Sequence, residues 1–195
     1  PSIDEIKNFA IAMFVVAVGL VAFYQELSAF SIATLFLTAL AALFARETGQ
    51  RLVGQLLNAR ATLELSQAGV IATLGAALIA FVSDAPSVFL LPVYSTFSAE
   101  SYEQWGYEIP VIWSKREYWF AATGVTFVLG LAFAAFMVES YVVSRSLALF
   151  AFFQLIPLKE TVLSESTDGA YILLQSGFVW LTLLAASILG IVFPL

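Results

Sequence analysis

The sequence has no histidine and no cysteine in 195 residues. Without cysteine there is no disulfide framework, and thiols give no clue to the redox compartment. Without either residue, the usual ligands of zinc, copper and haem are missing, so no metal or cofactor is expected. Ser-His-Asp and Cys-His chemistry is excluded for the same reason. Charge is scarce too. Only 11% of residues are charged, with Lys+Arg 8 against Asp+Glu 14 and a net charge of −6. Nucleic-acid binding needs a basic patch, which this balance does not supply.

What is present is hydrophobic: 61% of residues are apolar and the mean hydropathy is +0.94. Soluble domains are about 45–50% apolar and about 25% charged. The composition predicts an all-α polytopic membrane protein, with residues 1–195 forming one multi-pass domain.

A spanning helix needs about 20 mostly apolar residues. Phe9–Phe23 is the first candidate. Its leader PSIDEIKN is acidic and no A-x-A site follows, so a retained helix is expected rather than a cleaved signal. Leu27–Ala45 is the second span, ending at the polar group Arg46, Glu47, Gln50 and Arg51. In 51–66, Arg60, Thr62 and Glu64 alternate with Ala61, Leu63 and Leu65, a period of two that predicts a short strand or interfacial segment. Trp119–Val138, Tyr141–Leu158 and Gly177–Leu195 are further spans. Residues 95–114 are acidic and aromatic, with Tyr102, Trp105, Tyr107 and Trp113 beside Glu100, Glu103 and Glu108, and suit protein contacts. Ala68–Ala80 and Ala121–Gly130 carry the small residues that let helices approach closely in lipid.

Residues 68–94 decide the topology. They are long for one helix and short for two. Ala68–Val82 as a helix reaches about 22 Å, and Ser87–Tyr94 could return extended. Such a return must be covered by neighbouring helices. This hairpin would place Lys7, Arg46, Arg51, Arg60, Lys115, Arg116 and Lys159 on one side, leaving only Arg145 on the other. A single crossing would divide them. The positive-inside rule favours the hairpin, with a cytoplasmic N-terminus and an outer C-terminus. The expected architecture is five to six transmembrane helices with a re-entrant hairpin or short strands near 52–97, in the plasma membrane.

Three motifs carry chemistry. The first is Phe44-Ala45-Arg46-Glu47-Thr48-Gly49-Gln50-Arg51 at a helix end. The second is Lys115-Arg116-Glu117-Tyr118, followed by Ala122-Thr123-Gly124. The third is Phe153-Gln154-Leu155-Ile156-Pro157, followed later by Asp168-Gly169. Read singly, these also suit a charged helix end, an interfacial anchor and a turn.

In this order they resemble the site-2 protease family of intramembrane zinc metalloproteases, in particular its short prokaryotic and archaeal members. The family carries H-E-x-x-H, often H-E-x-G-H-[RK], with both His on one helix face. Glu47, Gly49 and Arg51 match, while Arg46 and Gln50 occupy the two His positions. The family's K-R-E-Y usually continues into A-G-P-x-x-N. Gly124 keeps the Gly, but the Pro and Asn are absent. The family's F-N-L-I-P-x-x-P-x-D-G supplies the third zinc ligand from its Asp. Here Gln154 stands for Asn, and the gap from Pro157 to Asp168 is longer.

The resemblance implies a protease-like core with a vestigial site of Arg46, Glu47, Gln50, Asp168 and Gly169. It also implies no catalysis. A catalytic zinc needs about three protein ligands, Arg46 is permanently cationic, and Gln50 is a poor ligand. Arg46 is expected to fill the metal space and pair with Glu47 or Asp168. The expected role is an inactive binding, scaffolding or regulatory subunit whose partners are membrane lipids and other membrane subunits, with no nucleic acid. The alternative is an accessory or core subunit of a transporter or energy-converting complex. That reading would rest on Glu26, Glu139 and Arg145, the last two as an intramembrane charge pair or with Arg145 snorkelling to the interface.

Overall fold

The computed structural model describes residues 2–57, 59–99, 102–104, 107–109, 117–158 and 167–193. Seven helices and four short strands occur among them: α1 (Ile3–Tyr24), α2 (Ala29–Leu57), β1 (Ala59–Leu65), α3 (Gln67–Ser83), β2 (Val93–Ala99), β3 (Tyr102–Gln104), β4 (Tyr107–Ile109), α4 (Glu117–Met137), α5 (Tyr141–Gln154), α6 (Asp168–Gln175) and α7 (Gly177–Val192). Lys115, Arg116, Lys159, Glu100, Trp105 and Trp113 lie outside the described residues.

Helices α1, α2 and α4 are long and apolar enough to cross a membrane. Helices α3, α5 and α7 are shorter apolar helices. Among the described residues three helices therefore meet the length requirement by themselves, where five to six were expected. The shortfall has local causes. Helix α5 ends at Gln154, before Pro157, because proline lacks the N–H and disfavours a helical residue before it. The last hydrophobic stretch breaks at Ser176, whose φ of −152° and ψ of 91° are extended.

Capping fixes the helix starts. Ser2 Oγ accepts from Glu5 N at 3.1 Å, and Glu5 Oε2 accepts from Ser2 N at 2.8 Å, a complete capping box. Ser66 Oγ caps α3 by accepting from Gly69 N at 3.1 Å.

The segment after α2 doubles back. Strands β1 and β2 pair antiparallel from Ala59↔Ala99 to Leu65↔Val93. Ser66 N donates to Pro92 O at 2.9 Å, so α3 leaves and the chain returns to the same point. The returning segment is not bare to lipid. Leu90 and Leu91 are buried. A Cβ on Gly19 of α1 would come 2.8 Å from Leu90 Cδ2, and one on Gly69 of α3 would overlap the Leu91 carbonyl oxygen. Irregular backbone at this depth is tolerated where protein covers it.

The core lies between α1, α2, α4 and α5, where Val16, Leu20, Leu35, Leu43, Val125, Val128, Leu147 and Phe150 are buried. Small residues line it: Ala12, Ala17, Ala39, Ala42, Ala121, Ala148 and Ala151. Large apolar side chains point outward instead, with Phe30 83%, Leu56 82% and Phe178 81% exposed. Small residues inside and large ones outside is the pattern of helices packed in lipid.

One boundary differs in an informative way. The polar group at 46–51 does not end the second helix, which runs on to Leu57. Arg46, Glu47 and Gln50 are buried there, with Arg46 and Gln50 at 0% exposure and Glu47 at 6%. Arg46 bonds Glu47 and Asp168, and Gln50 bonds Asp168 and Ser95, so the group lies inside the bundle rather than marking an exit to water.

Candidate functional site

Three elements build the site: the last third of α2, the start of α6, and β2. Residues 46, 47 and 50 fall within little more than one turn of α2, so they share a level of the bundle. Asp168 opens α6 and is 1% exposed. Arg46 Nε donates to Asp168 Oδ2 at 2.9 Å, and Nη2 lies 2.8 Å from the same oxygen. Arg46 Nη1 donates to Glu47 Oε1 at 3.2 Å. Gln50 Nε2 donates to Asp168 Oδ2 at 3.4 Å. All four polar side chains expected at the vestigial site therefore converge, from positions up to 122 residues apart.

The described residues on either side of the long gap before Asp168 are bonded to each other. Thr167 Oγ1 donates to Ile156 O at 2.6 Å and accepts from Leu158 N at 3.0 Å. Thr167 N donates to Leu158 O at 3.0 Å. The chain on either side of 159–166 is thus pinched together, and Asp168 sits beside the Leu155-Ile156-Pro157 turn. Gly169 makes this possible: a Cβ there would overlap the Leu155 carbonyl oxygen. The same carbonyl accepts from Trp180 Nε1 of α7 at 2.8 Å, so it has no freedom to yield.

Several contributors were not legible as site residues. Ser95 Oγ of β2 donates to Gln50 Oε1 at 2.7 Å and orients the amide. Nothing in a serine on an alternating strand signals this. Gly124 of α4 faces the site, and a Cβ there would meet Gln50 Cγ at 3.0 Å and Arg46 Cγ at 3.3 Å. Its signal was the glycine retained after K-R-E-Y. Arg51 continues the charge chain outward, with Nε 3.6 Å from Glu47 Oε2 and Nη2 3.9 Å from Glu5 Oε1. The spacing of 47 and 51 (one turn) is the legible part of that contact.

Among the described residues, no ion pair joins Glu26, Glu139 or Arg145 to this site or to each other. Arg145 sits over the Phe23 ring, with its guanidinium carbon 5.8 Å from the centroid. Glu139 occupies the α4–α5 turn at φ 62°. Among the described residues no ion pair joins Glu139 to Arg145, because the left-handed turn ends α4 and α5 restarts beyond it. Glu26 accepts from Ser31 Oγ at 2.8 Å in the α1–α2 turn.

The donor set does not fit the zinc that the resemblance would imply. Among the described residues no group of three His, Cys, Asp or Glu side chains is placed to hold a metal. The guanidinium of Arg46 occupies the space between the two carboxylates and repels a cation.

Compared with protein-family models, with characterised proteins and with solved structures, the chain matches none.

Proposed function

We propose that this chain is a catalytically inactive, site-2-protease-like membrane protein. On this reading it serves as a binding, scaffolding or regulatory subunit of a membrane assembly. One observation carries the proposal: Arg46 holds Asp168 at 2.8 and 2.9 Å, in the space that the motif order assigns to a metal between them. Glu47, which would activate a metal-bound water, instead accepts from Arg46. A hydrolase would leave that carboxylate facing a reacting water. Here it is neutralised.

The charge distribution supports an orientation. Lys7 lies near the start of α1, and Arg51 and Arg60 lie at the end of α2 and in β1. Arg145 lies at the opposite end of α1, beside Phe23. By the positive-inside rule the N-terminus and the Arg46 site face the cytoplasm of a cell membrane.

Two measurements test the proposal together. The Arg46→His/Gln50→His variant restores two imidazoles beside Glu47 and Asp168, and should bind about one zinc per chain where the wild type binds none. Native purification in nanodiscs should retain a defined membrane subunit at fixed stoichiometry. Zinc in the wild type, or cleavage of a transmembrane peptide by it, would refute the inactive reading. No zinc uptake by the folded double variant would refute the metal-space assignment.

A further inference from the structure

We draw no further inference here: the strongest candidate, the half-open apolar groove of about 240 Å³ between α4, α5 and α7 lined by Phe133, Phe136, Ser144, Leu189 and Phe193, is an unpartnered apolar face, and nothing in the structure shows what covers it.

Discussion

Replacing Arg46 with methionine keeps much of the apolar stem of the side chain and deletes its charge. Asp168, 1% exposed, would then lose the guanidinium at 2.8 Å, and Glu47 would lose its donor at 3.2 Å. Removing one partner of a buried ion pair costs about 3–5 kcal/mol, because the other charge stays buried without compensation. Asp168→Asn is milder. Its amide oxygen can still accept from Arg46, and Arg46 retains Glu47, so a loss of about 1–3 kcal/mol is expected. The double variant should be more stable than the sum of the two losses predicts, since the carboxylate stranded by Arg46→Met is gone. A coupling of about 2 kcal/mol is expected, within the usual range for residues in direct contact. Unfolding in mixed detergent–dodecyl sulfate micelles, followed by far-ultraviolet circular dichroism, gives all four stabilities. An Arg46→Met variant within about 1 kcal/mol of wild type would refute the reasoning, as would strict additivity.

Gly169→Ala should destabilise by about 1–3 kcal/mol, since its Cβ would overlap the Leu155 carbonyl oxygen. Gly75→Ala in α3 is its control: nothing lies within 4 Å of the added Cβ, so stability should hold or rise by up to about 1 kcal/mol in the same assay. Thr167→Val removes the hydroxyl that bridges Ile156 O and Leu158 N, and should cost about 1–2 kcal/mol.

The sequence made some of this legible and concealed the rest, for identifiable reasons. The alternation of Arg60, Thr62 and Glu64 with apolar neighbours suggested a short strand or an interfacial segment, and β1 forms there, because a period of two survives in a short segment. Short strands near 52–97 were expected, but the pairing of β1 with β2 was not, since register across 30 residues depends on where α3 returns. The hairpin could be argued only from charge, by placing basic residues on one side. The Ser66–Pro92 hydrogen bond reaches the same geometry independently. The helix boundary at residue 45 was misplaced because polar residues in sequence look solvated. Arg46 and Gln50 are both fully buried, and only tertiary contacts reveal that. The site's second layer was less visible still. Ser95 and Thr167 act through single hydroxyls, which leave no pattern in a sequence.

The charge count explains how two guanidiniums divide this site. Two carboxylates, Glu47 and Asp168, meet there, and a divalent ion between them would supply two positive charges. Arg46 supplies one, and it contacts both carboxylates from within. The second comes from Arg51 at the rim, 3.6 Å from Glu47 Oε2. The inner charge is sequestered and the outer one is not. Asp168 therefore depends on Arg46, whereas Glu47 draws on both cations. Arg51→Gln should accordingly destabilise less than Arg46→Met, by about 1 kcal/mol or below, because a partly exposed pair is screened by solvent. If Arg51→Gln proved as destabilising as Arg46→Met, the two guanidiniums would be sharing one buried function, and the division between an inner clamp and an outer, solvent-screened charge would be wrong.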